Sequence, residues 1–207
     1  MTQRHELRPD LRLVADQVWP GSRVLDLGCG DGELLSYLIG VQQCSGTGVE
    51  RDPSGVLASI KRCVPLIELD IDNQLDEFAD NSYDVVVLSR TLQAVLHPSL
   101  VLRQMARIGQ RLIVTMPNFG YWKHRLTLLS GHMPQSPDLP YTWYDTPNLH
   151  YSTLLDLEDF FQTVGLKIEK RIALDPQGHR RLKRPATNLL ASSALYVLDA
   201  RGVQAAG

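Results

Sequence analysis

The chain is poor in the features that tie a protein to a membrane, an oxidising compartment or a nucleic acid. No uncharged run among its 207 residues reaches the ~18 that a membrane-spanning helix needs. The opening Met-Thr-Gln-Arg-His-Glu has no apolar core of signal-peptide length. Cysteine is scarce: Cys29, Cys44 and Cys63 are odd in number and lack C-x-x-C spacing, which argues against both a disulfide framework and a zinc site. A cytoplasmic location is the expectation. A net charge of −2 leaves no global nucleic-acid footprint. The one basic cluster, His179-Arg-Arg-Leu-Lys-Arg184, is short, and reads as a solvated loop rather than as a docking patch for an acidic partner. Neither a repeat nor a second-domain boundary is visible. With 43% hydrophobic and 21% charged residues, the length suits one domain, 1–207, with a full-sized core.

What is present is a glycine turn set between a strand and a helix, Arg23-Val-Leu-Asp-Leu-Gly-Cys-Gly-Asp-Gly-Glu33. Val24, Leu25 and Leu27 suit a buried strand, and Glu33-Leu-Leu-Ser-Tyr-Leu-Ile39 has helical spacing. Such a βα unit opens nucleotide-binding sheets, its glycines letting a ligand lie against the backbone. A dinucleotide fingerprint, G-x-G-x-x-G, would place its third glycine at 33; that position is Glu33, and the glycine falls at 32. Asp26 would also be unwelcome beside a pyrophosphate. Asp-x-Gly-x-Gly-x-Gly resembles instead the first motif of class I S-adenosylmethionine (SAM) methyltransferases. SAM carries an α-amino group, a sulfonium and two ribose hydroxyls, which suit an acidic loop.

Further along, strand and helix patterns alternate. Leu11, Leu13, Val14, Ala15 and Val18 form the inner face of an opening helix that Pro20-Gly21 ends. A second strand over 45–50 ends at Glu50, about 20 residues past the turn, where a carboxylate meets ribose hydroxyls in such folds. Pro53 suits the first turn of a helix over 53–63. A short third strand over 66–70 ends at Asp70, which, in a SAM-type fold, would meet the adenine amine while Ile71 packs on the ring; Asp72 is equally suited to a turn or cap. The β-branched run over 81–89 predicts a central strand buried on both faces. It ends at Ser89-Arg-Thr-Leu-Gln93, again at the carboxyl edge. A helix over 98–108 and a fifth strand over 111–116 follow. The cofactor contacts expected from this pattern are Asp26, Leu27, Gly28, Cys29 and Gly30 in the loop, Glu50 and Arg51, Asp70 and Ile71, and Ser89 and Gln93.

The pattern then changes. Phe119, Trp122, Leu126 and Leu129 recur at helical spacing with Lys123, His124 and Arg125 between them, which reads as a core-packed helix with a basic face. Residues 131–150 carry four prolines, incompatible with a regular helix or a central strand. Burial of Tyr141, Trp143 and Tyr144 would order this insertion, and a long ordered loop is more often functional than idle. It is expected to cover the mouth of the cofactor site or to offer a partner surface. A capped helix over 153–164, a strand over 166–174 and a last strand over 193–198 complete the pattern, with 200–207 frayed. The fold class is α/β: a doubly wound, seven-stranded, mostly parallel sheet, the last two strands joined without a helix and the last one reversed.

Five segments together, Leu7-Arg-Pro-Asp-Leu11, Arg23 to Leu35, Leu88-Ser-Arg-Thr-Leu-Gln-Ala94, Pro117-Asn-Phe-Gly-Tyr-Trp122 and Trp143-Tyr-Asp-Thr-Pro-Asn148, resemble the MetW family of methionine biosynthesis proteins. The resemblance runs from about residue 7 to 174. It implies a SAM-type fold, binding of SAM or S-adenosylhomocysteine (SAH), and a hetero-complex with a homoserine O-acyltransferase. It does not imply methyl transfer. The chain has neither an Asn/Asp-Pro-Pro-Tyr amine-methylating motif nor a Pro-Cys nucleophile, and no residue stands out as a general base. Of its histidines, His97 reads as a capping or surface group, and His150, after the aromatic loop, is the one worth testing. Two functions follow as expectations: a non-catalytic cofactor-binding partner that regulates the acyltransferase, or a methyltransferase with a small acceptor under the 131–150 loop.

Overall fold

Alternation along the strands sorts this chain into two hydrophobic layers. Leu25, Leu27, Val86, Leu88, Leu112 and Val114 point to one side of a sheet, and Val24, Val85, Val87 and Ile113 to the other. The computed structural model describes residues 7–181 and 186–204. Its strands are β1 (Arg23–Leu27), β2 (Ser45–Glu50), β3 (Leu66–Glu68), β4 (Tyr83–Ser89), β5 (Gly109–Pro117), β6 (Lys167–Leu174) and β7 (Ser193–Asp199). They form one sheet in the order β3-β2-β1-β4-β5-β7-β6. β1 to β5 pair in parallel, and β7 runs antiparallel to both β5 and β6. The doubly wound α/β sheet with a reversed last strand is thus the observed fold.

The helices are α1 (Pro9–Ala15), α2 (Glu33–Gln42), α3 (Pro53–Lys61), α4 (Pro98–Ile108), α5 (Trp122–Leu129), α6 (Leu154–Val164), α7 (Thr187–Leu190) and α8 (Arg201–Gln204). Val101, Leu102 and Met105 of α4 and Leu157 and Phe161 of α6 fill one layer; Leu11 and Val14 of α1 and Leu34, Leu35 and Leu38 of α2 fill the other. Local chemistry sets the ends. The Asp52 side chain accepts from Ser54 N and Gly55 N ahead of α3. Thr153 and Asp156 form a reciprocal capping box at α6, which Gly165 closes at φ 89°.

Four expectations need correction. The spacing on α5 is helical, but its apolar residues face outward: Trp122, Leu126 and Leu129 are exposed, Leu129 by 83%, and the residue α5 buries is His124. Tyr141, Trp143 and Tyr144 are likewise exposed, Trp143 by 70%, so their burial is not what orders the insertion. A short helix, α7, lies between β6 and β7, and residues 201–204 are helical as α8, seated beside α4. Periodicity identifies a stripe on a helix; only tertiary packing decides what the stripe meets. The basic cluster at 179–184 falls partly outside the described residues. No helix among those described is long and apolar enough to cross a membrane.

Candidate cofactor site

The glycine loop leaves β1 at the carboxyl edge of the sheet and turns on positive φ angles at Gly28, Gly30 and Gly32. At Gly28 the requirement is double. Its φ is +71°, and a Cβ there would stand 2.6 Å from Thr91 Oγ1, so the turn after β4 rests directly on this glycine. Gly28 N and Cys29 N both donate to the Val49 carbonyl, tying the loop to β2. Leu27 is fully buried. The Cys29 thiol points into the protein toward Ser59, and burial, with the charge of Asp26 adding to it, pushes its pKa up to about 12. Cys29 does not line the cleft described below.

Asp26 is the unusual residue. It is 3% exposed, and its Oδ1 has no hydrogen-bond partner. Burial, followed by the nearby Glu50 charge, raises its pKa from 3.8 to about 7. A buried, unsatisfied carboxylate is costly unless something donates to it. Glu50 is the opposite case. Its Oε1 accepts from Arg51 N and Asp52 N, each at 2.8 Å, and its Oε2 accepts from Gly30 N at 2.8 Å. Three backbone donors hold this carboxylate in place between the end of β2 and the glycine loop.

Asp70 lies two residues beyond β3. It accepts from Asp72 N and from Asn73 Nδ2, and meets Arg51 Nη1 at 3.4 Å. Asp72 resolves the other way: it is buried, and its Oδ1 accepts from Leu96 N and His97 N, fastening the entry to α4. His97 occupies the N-cap position without a side-chain capping bond. Between the loop and these strand ends lies a cavity of about 110 Å³, whose walls include Gly28, Glu50, Arg51, Asp70, Ile71 and Thr91. That is smaller than a typical ligand pocket of at least ~300 Å³. Arg51, with its side chain 75% exposed, is the wall best able to swing aside.

The structure therefore gathers Gly28, Glu50, Arg51, Asp70 and Ile71 around one cleft, with Asp26 buried at its glycine loop. Ser89 and Gln93 sit further along the edge. Ser89 Oγ is 3.0 Å from Thr115 Oγ1. Gln93 is buried, donates from Nε2 to the Arg90 carbonyl, and accepts Leu149 N and His150 N at its own carbonyl. The lining that sequence reasoning missed is Val49, Leu69, Thr91, Ala94 and Val95, together with Asp72, which was expected as a turn or cap residue. Its one advance signal was the Thr91-Leu-Gln93 turn. These carboxylate acceptors fit a ligand that brings positive charge and hydroxyl or amine donors.

The insertion is strapped to the same edge. Arg90, at φ +54°, donates from Nη2 to Asp138 Oδ1 at 2.6 Å and lies 3.5 Å from Asp10 of α1. Asp138 has no side-chain exposure; burial raises its pKa despite the opposing effect of Arg90. Asp138→Ala is expected to cost about 2 kcal/mol of stability. That is below the usual loss for breaking a buried pair, because Arg90 is 31% exposed and keeps Asp10. Urea unfolding checks this; a loss under ~0.5 kcal/mol would show that the strap contributes little.

Comparison with solved structures agrees with this topology. A chain from the complex of the Haloferax volcanii Trm112 methyltransferase activator with its methyltransferase partner superposes at a TM-score of 0.69 and 16% identity, covering 94% of this chain and 90% of that one. A SAM-dependent methyltransferase of Thermotoga maritima gives 0.67 and 17%, covering 95% and 90%. The [4+2]-cyclase SpnF gives 0.65 and 15%, covering 91% and 78%, so chains of this fold differ in the chemistry they are named for. In sequence, the bifunctional methionine biosynthesis protein MetXA/MetW of Rhodopirellula baltica is 32% identical over 200 residues. Those residues cover 91% of this chain but only 32% of that relative's length. The family described as methionine biosynthesis protein MetW matches residues 8–198, a span that takes in the glycine loop, the Arg90 turn and the aromatic insertion. On that match, and on the methyltransferase-like sheet that carries it, the chain belongs to the MetW family of methionine biosynthesis proteins.

Proposed function

We propose that this chain is a cytoplasmic SAM- or SAH-binding partner of a homoserine O-acyltransferase, which it activates or regulates by forming a complex with it. The observation that carries the reading is the relative that joins MetXA and MetW in one bifunctional chain. Covalent linkage makes an association effectively intramolecular, and a separate chain must supply the same association through an interface. The Gly28–Glu50–Asp70 cleft supports the cofactor half: Asp26 Oδ1 lacks a partner that the cofactor's cationic end would supply. When bound, the cofactor would bring a sulfonium methyl group; the chain's own residues orient and hold it. The carboxylates of the cleft lining, Glu50, Asp70 and Asp72, already accept bonds from the chain, and the lining contains no histidine, lysine, cysteine or tyrosine beside them, which favours a regulatory role.

The test is co-purification with the acyltransferase of the same organism, followed by acyl-transfer assays with SAM, with SAH and with neither. A complex with raised activity supports the reading, and no association with no effect on rate would sink it. A second reading, methyl transfer to a small acceptor, is favoured by an apolar cavity of about 300 Å³ bounded by Leu92, Met116, Phe160, His150 and Asp156. His150 Nε2 now meets the Val95 carbonyl at 3.0 Å. Acceptor-dependent SAH formation, lost in His150→Ala, is its signature.

A further inference from the structure

The residues that overturned the core-packed expectation for α5 point to a surface. Trp122, Leu126 and Leu129 stand at i, i+4 and i+7 on this helix, and all three are exposed; Met133, just beyond it, is 45% exposed. Farther along the insertion, Trp143 and Tyr144 meet edge to face at 5.5 Å, at 70% and 73% exposure. Isolated exposed apolar residues are ordinary, but a helical stripe bearing Trp and Leu, followed by an exposed aromatic pair, has the make-up of a binding surface. Exposure across these six side chains runs from 38% at Trp122 to 83% at Leu129.

Charge selects the occupant. α5 carries Lys123 and Arg125 and no acid, although the chain as a whole is at −2. Of the two acids in the following insertion, Asp138 is buried and engaged with Arg90, and Asp145 is exposed beside Tyr144, outside the helix. A second copy meeting this helix through a two-fold axis would bring Lys123 and Arg125 against themselves. We infer that α5 and the exposed aromatics of the insertion are the docking surface for the acyltransferase partner, and that they enter an apolar groove with an acidic rim. This rests on the proposed complex. It adds where the contact lies and what the partner's face must look like.

Leu126→Glu/Leu129→Glu tests it, since both side chains are exposed and their replacement leaves the core intact. Binding of the purified acyltransferase is measured by calorimetry for the parent chain, the double variant and Lys123→Glu. Val41→Glu, an equally exposed apolar site on α2, is the control. The expected result is a loss of affinity of about 100-fold for the double variant, a smaller loss with a weaker salt dependence for Lys123→Glu, and parental affinity for Val41→Glu. If the parent binds and the double variant binds equally well, the surface is wrong and the complex stands. If the parent itself fails to bind, both proposals fall. A parent that sediments as a dimer, with a monomeric double variant, would overturn the assignment in favour of a second copy.

Discussion

Asp26→Asn is expected to make the free chain more stable at pH 8 while removing most of its affinity for SAM. Asp26 is 3% exposed with one oxygen unpaired, and its pKa rises from 3.8 to about 7, mainly through burial and secondarily through Glu50. The folded pKa lies above the unfolded one, so between about pH 4 and 7 the folded chain holds a proton that the unfolded chain has released. Stability therefore falls as pH rises through that window, by up to about 4 kcal/mol. Asparagine has the same shape and no charge, so the variant escapes this loss. Thermal unfolding should show a clear gain at pH 8 and a much smaller one at pH 5; an equal gain at both would mean that Asp26 is not the titrating group. Binding runs the other way. An ionised Asp26 opposes the cofactor's positive charge, so calorimetry should find SAM held roughly 30-fold less tightly by the variant. For the parent, affinity should rise from pH 6 to pH 8. A site less stable than its own replacement is a common mark of function.

Glu50→Ala is expected to reduce SAM affinity by at least about 100-fold, because two ribose hydroxyls lose a charged acceptor. It also leaves the amides of Gly30, Arg51 and Asp52 without the carboxylate they share, so some loss of stability accompanies it. Glu50→Gln separates the two effects. One amide oxygen can still accept on one side, while its NH₂ faces donors on the other, and the shape is kept. It also removes the charge that helps to raise Asp26, so the pH midpoint attributed to Asp26 should fall. Unchanged SAM affinity in Glu50→Ala would contradict the placement of the ribose at this carboxylate.

How much of this was legible in advance depended on the range of the interaction. Short-range chemistry was plain: the strand–glycine–helix unit at 23–39, Pro98 opening α4, and Gly165 closing α6 are set by residues a few positions apart. The continuous β-branched run at Val85, Val86 and Val87 announced a strand covered on both faces. Asp70 is preferred to Asp72 for its place after the third strand, but what Asp72 fastens was not legible, because its burial and its bonds to Leu96 N and His97 N are tertiary. Thr91 resting on Gly28 joins residues 63 positions apart, and Arg90 meeting Asp138 joins residues 48 apart. Nothing local encodes either contact. α5 shows the same limit: a period of 3.6 identifies a stripe but not whether core or solvent lies opposite it.

The position of β7 has a consequence for how the molecule is made. β7 lies between β5 and β6 and supplies the sheet pairing of β6, yet of these seven strands it is the last in chain order to leave the ribosome. Until Ser193–Asp199 has been synthesised, β6 has no strand to join, and the long flank of β5 stands open as an edge that another chain can pair with. Deleting from Ser193 onward therefore removes more than the final strand. It strands β6, bares β5, and turns an interior strand of the finished sheet into an aggregation-prone border.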